Sequence, residues 1–142
     1  MDNLLRRASL VLATAVAFAP GLSAQTALAD PDYLALGRKY YEWFANGQAD
    51  SVHAHMAADA REAVGGVEGV KARIDEFDAR AGIEVEFVEE KMTRRRGSPQ
   101  YWREGRYTGF TEEPIVFRWV FNEQGEITGI GLTPKSRAPA PD

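Results

Sequence analysis

The residues from Glu113 to Thr133 constrain this chain more than any others. They read as two long antiparallel strands joined by a turn at Asn122 to Gly125. Ile115, Phe117, Trp119 and Phe121 recur at period two and therefore share one face of the first strand. Four large apolar side chains in a row are unstable in water, so another element must cover that face. The opposite face carries Val116, Arg118 and Val120, and the chain offers them no obvious cover.

The first 29 residues read as an address. Arg6-Arg7 is a basic pair, Ala8 to Ala19 is a short uncharged apolar run, and Pro20-Gly21 breaks it. Ala27-Leu28-Ala29 places small residues where signal peptidase needs them, so cleavage is expected before Asp30, with Ala24 as a second site. A membrane-spanning helix needs about 20 apolar residues, and this run is shorter. Ser9 stands where a twin-arginine signal carries a bulky apolar residue, which favours the general secretory route. The expected location is periplasmic or extracellular. With no cysteine in the chain, neither a cysteine-linked lipid anchor nor a disulfide is available, and the core alone must hold the fold. Residues 1–29 contain two Arg and one Asp, so the 113 that follow carry 15 basic and 20 acidic side chains, a net of −5. That balance argues for solubility and against a nucleic-acid partner.

Asp30-Pro31-Asp32-Tyr33 predicts a helix start, with Asp30 as cap and Pro31 at the first helical position. Tyr33, Leu36, Tyr40 and Phe44 form an apolar stripe widened by Leu34, Tyr41 and Trp43, and Asn46-Gly47 ends the helix. A short second helix begins at Asp50 or Ser51, and Asp59 to Val64 continues it or forms a separate turn before Gly65-Gly66. A further helix is expected over Val67 to Ala81, with Val70, Ile74, Phe77 and Ala81 on one face and Gly82 closing it. After Gly82 the period changes to two. Ile83, Val85 and Phe87 alternate with Glu84 and Glu86, the pattern of a half-solvated strand. Thr93 to Pro99 reads as a basic hairpin loop, Gln100 to Gly109 as the second strand, and Lys135 to Asp142 as a disordered tail without core residues. Helices followed by four strands in a meander predict one α+β domain over 30–134, a helical layer on a curved antiparallel sheet.

This order, led by Tyr40-Tyr41-Glu42-Trp43-Phe44-Ala45-Asn46-Gly47-Gln48 and closed by Val116 to Phe121 and Gly125 to Ile130, resembles the cone-shaped, cystatin-like superfamily named after nuclear transport factor 2. Within it, the chain looks most like the domain of unknown function numbered 3887, found in exported bacterial proteins. The similarity spans roughly Asp32 to Pro134 and contains no catalytic signature. It implies a sheet wrapped on the first helix, an apolar cavity between them, and homodimers through the sheet's outer face. Superfamily enzymes place Asp, Tyr or Arg in that cavity, but no motif carries such a role onto a residue of this chain.

The residues that could carry chemistry are few. His53 and His55 are the only histidines, and on a helix their side chains diverge by about 200°. Even with Asp59, His55 gives an incomplete metal site, so no metal is expected. Lys91, Arg94, Arg95 and Arg96 read as a solvated loop, with a phosphate or carboxylate contact as the sharper alternative. Tyr101 to Tyr107 interleaves aromatic and cationic residues, as cross-strand pairing or a carbohydrate or nucleic-acid surface would. Arg103 and Arg118 each call for an acidic partner such as Glu86 or Glu104. There is no Gly-x-Ser-x-Gly elbow, cysteine nucleophile or phosphate loop.

The expectation is an exported, non-catalytic binding or interaction module without a cofactor. It would take a small apolar or amphiphilic ligand between the first helix and the sheet, against Tyr40, Phe44, His55, Tyr101, Arg103, Phe117 and Trp119. One alternative is a small cavity enzyme, an isomerase or hydrolase, using His55 or an Asp as base and Tyr40 or Tyr101 as donor. The other is a structural homodimer that packs sheet on sheet through Trp102, Val116, Arg118 and Val120.

Overall fold

The aromatic face of the Glu113 strand finds its cover in the first helix. The computed structural model describes residues 28–142, so the address segment up to residue 27 lies outside the described residues. Four helices come first: α1 (Asp30–Ala45), α2 (Ala49–Ala54), α3 (Ala58–Val64) and α4 (Gly66–Ala81). Four strands follow, β1 (Glu84–Arg95), β2 (Ser98–Tyr107), β3 (Phe110–Phe121) and β4 (Ile127–Pro134), paired antiparallel in the order β1-β2-β3-β4. This is the α+β meander that the change of period predicts. Among the described residues no helix is long and apolar enough to cross a membrane.

Local chemistry sets the element ends. Ala29, not Asp30, caps α1: its carbonyl accepts from Asp32 N and Tyr33 N at 2.9 and 3.1 Å, and its N–H donates to Asp32 Oδ2 at 3.2 Å. Gly47 and Gly82, with φ of 73° and 72°, take the left-handed turns after α1 and α4 that L side chains avoid. Thr93 to Pro99 is strand rather than loop. Thr93, Arg94 and Arg95 pair with Gln100, Pro99 and Ser98, leaving only Arg96 (φ 51°) and Gly97 (φ 79°) in the turn. Positive φ at both central residues matches the twist of the strands, so pairing continues up to the turn.

The core is aromatic. Phe44 from α1 meets Phe117 at 5.1 Å and Trp119 at 5.9 Å, and Tyr41 meets Phe117 edge-on at 5.0 Å. Phe77 from α4 closes the other side against Phe44 and Tyr107. Tyr33 and Tyr40 donate their hydroxyls to the carbonyls of Asn122 and Gly125, tying α1 to the β3–β4 turn. The helix approaches the sheet closely at Gly37, where a Cβ would lie 2.3 Å from Cγ of Tyr101.

Two parts differ from the sequence reading. At the start of β1 the apolar residues are left largely in solvent: Ile83, just before it, and Val85, Phe87 and Val88 are 75%, 64%, 50% and 40% exposed, while Glu84 turns inward. Bulges between Glu84 and Glu86 and between Phe87 and Glu89 break the simple alternation, and one extra residue is enough to exchange the faces. The tail, read as disordered, makes a 3-10 turn at Lys135–Arg137 and bonds at both ends. Lys135 Nζ reaches Glu104 at 2.7 Å, Ser136 reaches Glu113, and Asp142 bonds Arg94 O and Gly97 N at the β1–β2 turn. Glu104 lies on the sheet face opposite α1, so residues 135–142 run across that outer face. There Trp102, Val116 and Arg118 are buried within the chain itself, and Val120 is half-buried.

Two outcomes follow from this packing. Gly37→Ala removes a helix-disfavouring glycine, a gain of about 1 kcal/mol, but drives a methyl into Tyr101. The net effect in urea unfolding is a loss of more than about 1 kcal/mol; an unchanged midpoint would show that the contact is soft. Deleting residues 135–142 uncovers Trp102 and Val116, and sedimentation velocity of the deletion protein should show concentration-dependent self-association that the full chain lacks.

Candidate functional site

The space between α1 and the sheet is filled. Tyr40, Phe44, Tyr101, Phe117 and Trp119, named above as ligand contacts, are at most 3% exposed and pack against one another. His55 lies outside this interior as the residue ending α2, with Nδ1 2.9 Å from Ser51 O and its ring against Tyr40 and Trp43. Five of the seven expected ligand residues are therefore core, because Gly37 lets the helix sit directly on Tyr101. Among the described residues no group of three His, Cys, Asp or Glu could hold a metal ion.

Arg103, also named above as a ligand contact, is the centre of an ion-pair network. Its partners are Glu84 and Glu90, rather than the Glu86 or Glu104 suggested by the sequence. Nε and Nη2 donate to Glu84 at 3.1 and 2.6 Å, and Nη1 lies 3.9 Å from Glu90. The guanidinium also stacks on Tyr41 at 4.3 Å and Phe87 at 4.7 Å. Glu84 Oε2 receives the Tyr41 and Tyr107 hydroxyls at 2.6 and 3.0 Å, the two hydroxyls being 2.8 Å apart. Glu90 accepts from Tyr101 at 2.9 Å and pairs with Arg38.

Burial pushes the Glu84 carboxyl up, but the Arg103 guanidinium and Tyr41 hydroxyl outweigh it and hold it below the ordinary value. Glu90 is lowered in the same way, burial being overcome by Arg38 and Tyr101. Burial and the bond to Glu84 push Tyr41 up to about 12, and Tyr107 and Tyr101 are raised as well. The carboxylates thus stay charged acceptors and the phenols stay donors. The cluster joins α1 to β1 and β2. The pair is part-buried, so removing one member costs up to about 3 kcal/mol, against roughly 1–2 kcal/mol for the ring contacts, and ion pairing is the larger contribution.

The open space lies on the other side of the molecule. A cleft of about 820 Å³ separates α3 and α4 from β3 and β4. Ala60, Ala63 and Val64 of α3 form one wall, and Ile115, Ile130 and Leu132 form the other. It exists because the helices hold β4 at one end only. Ala57 N donates to Ile127 O and Ile127 N to His55 O, both at 2.9 Å, while α3 buries none of its residues. Beyond Ile127 the apolar side chains of β4 are only half-buried. Arg73, Glu76 and Arg80 border the cleft with side chains 64%, 44% and 79% exposed, so they form a solvated rim.

Arg118 is different. It is 8% exposed, lines this cleft, and lies across Gly131 of β4, where a Cβ would come within 2.5 Å of Nη2. It also lines a second concavity of about 150 Å³ on the outer sheet face, shared with Arg95, Gln100, Val120 and Gly129. The sequence pointed to Arg118 but not to the cleft. Its one available signal was Gly129-Ile130-Gly131-Leu132, an apolar face with no predicted cover on a strand at the end of the meander.

The lowered carboxyl groups give the network a pH signature. A group whose value falls on folding stabilises the fold above its unfolded value, near 4.5, and that stabilisation is lost as pH falls through the lower folded value. Urea midpoints taken from about pH 7 down to 3 should therefore drop steeply in the parent protein and less steeply in Glu84→Gln, which is already weaker at pH 7. Parallel curves would remove Glu84 from the acid response.

Comparison with family models, curated proteins and solved structures returns no match to this chain. The chemistry of the cleft is thus read from its own residues.

Proposed function

We propose that this chain is an exported, non-catalytic binding module that takes a small apolar or amphiphilic ligand in the cleft between α3–α4 and β3–β4. The observation that carries this is the cleft itself: about 820 Å³, walled by Ala60, Ala63, Val64, Ile115, Ile130 and Leu132, with its exposed charges at the rim. Pockets of roughly 300–1,000 Å³ with mostly apolar walls suit small ligands that bury most of their surface. Export is supported by the Arg6-Arg7 pair, the Ala8 to Ala19 run and Ala27-Leu28-Ala29. The order of helices before a four-stranded meander agrees with the nuclear transport factor 2-like assignment, which we retain as part of this proposal.

Neither alternative gains a specific observation. The cleft is lined by no tyrosine or histidine to serve as the donor or base of an isomerase or hydrolase. Sheet-on-sheet pairing through Trp102 and Val116 would first require residues 135–142 to leave the outer face.

A neutral ten-carbon alcohol, decanol, tests the cleft. At 100 times its dissociation constant a ligand stabilises a fold by about 2.7 kcal/mol, enough to raise the thermal midpoint by several degrees. Ala63→Trp, at an exposed position on the cleft wall, should keep the fold and abolish that rise. No rise in the parent protein with decanol or a longer alkyl alcohol would refute the cleft reading.

A further inference from the structure

Arg118 is a buried cation that the described residues leave uncompensated. It is more than nine-tenths buried, and its Nε has no hydrogen-bond partner among the described residues. Among the described residues its one side-chain bond is a long one, Nη2 to Thr133 Oγ1 at 3.4 Å, and no carboxylate lies within ion-pair distance. The contrast with Arg103, which is less buried and holds two carboxylates, is direct. A charge of the same sign stands beside it: Arg95 shares the small outer concavity, and burial and Arg95 together depress the Arg118 guanidinium. Glu104, the nearest buried carboxylate on this face, is taken by Lys135 and Trp102. In residues 1–27, outside the described part, Asp2 is the only acidic side chain.

A cation held out of water beside another, without a counter-charge, raises the energy of the folded chain. The local sequence also makes room for them. Gly129 and Gly131 expose β4 backbone where side chains would otherwise stand, and a Cβ at Gly131 would strike the guanidinium. A planar guanidinium with free N–H donors is suited to an oxyanion, which it can engage with two parallel bonds. Arg118 borders the apolar cleft as well as the concavity, so a group bound to it adjoins the apolar walls.

From this geometry we propose that Arg118, assisted by Arg95, is an oxyanion subsite that takes the carboxylate or phosphate head of an anionic amphiphile whose apolar part lies in the cleft. The amphiphile rests on the cleft reading above; the oxyanion subsite rests on Arg118 alone. The subsite also explains why a costly buried charge stands on a strand otherwise suited to Leu or Met. Its cost in the free protein is offset when the ligand arrives.

Calorimetric titration of the purified protein with decanoate, decyl phosphate, decanol and inorganic phosphate separates the two. We expect decanoate or decyl phosphate to bind about tenfold or more tightly than decanol, the size of effect given by a charge-assisted hydrogen bond, and the tighter of the two identifies the head group. Arg118→Met should abolish that preference, bringing decanoate and decyl phosphate down to the affinity of decanol for the same variant, and should raise the thermal midpoint of the ligand-free protein. Arg95→Gln should reduce the preference by a smaller factor, and it remains as the test if the Arg118 variant fails to fold. Equal affinity for decanol and decanoate in the parent protein overturns the oxyanion subsite and leaves the cleft. Binding of inorganic phosphate that depends on Arg118, with no alkyl ligand bound, upholds the subsite and overturns the cleft. No binding by any of the four overturns both.

Discussion

The seating of α1 on the sheet is the contact on which the rest of this structure depends. Gly37 brings the helix backbone against the Tyr101 ring, and Phe44, Tyr41 and Tyr40 then fill the space above Phe117 and Trp119. Aromatic side chains are the largest apolar units available, and five of them meeting edge to face leave no room for a ligand between this helix and this sheet. Trp119 Nε1 is enclosed there without a hydrogen-bond partner among the described residues, a further sign that packing, not polar matching, determines this region. Because the interior is filled at α1, open space arises where helix and sheet diverge. That happens past Ile127, where the α2–α3 connection releases β4.

The ion-pair network acts on the same seat from the side. Arg103 points from β2 toward the helix layer, where it must be neutralised, and β1 is the strand within reach. Glu84 and Glu90 therefore turn inward, and Ile83 and Val85 are left in solvent. This arrangement reverses the usual preference for burying the apolar residues of an alternating strand. The energies account for it: an unpaired buried guanidinium costs more than the burial of a Val or Ile side chain, about 1.5–3 kcal/mol each, would return. The bulges in β1 adjust the strand so that both carboxylates reach Arg103.

These two contacts mark what could be read in the sequence. The β3–β4 hairpin, its Asn122–Gly125 turn, the aromatic stripe of α1 and the glycine ends of α1 and α4 are all set by neighbours within one or two turns, and each is present. The inward face of β1 is set by Arg103, 19 residues beyond Glu84, so the local alternation around Val85 pointed the wrong way. The tail has no apolar periodicity to reveal it. It is held by single polar contacts at Glu104, Glu113 and Gly97, which only the folded sheet assembles. The cleft was illegible for another reason. It is defined by residues that fail to meet, and periodicity reports which side chains seek cover without showing which find it.

Arg103 and Arg118 occupy comparable positions on adjacent strands, one on each face of the sheet, and the chain treats them in opposite ways. Around Arg103 it gathers two carboxylates, three phenols and a second arginine, so that its charge is matched within the fold. Around Arg118 it places glycines, a threonine hydroxyl at long range and another arginine. Fold stability alone gives no reason for the second environment, because a well-packed apolar residue would be as stable or more so. The difference marks Arg103 as a part of the scaffold, satisfied when folding is complete. Arg118 is instead satisfied only by something that folding does not supply.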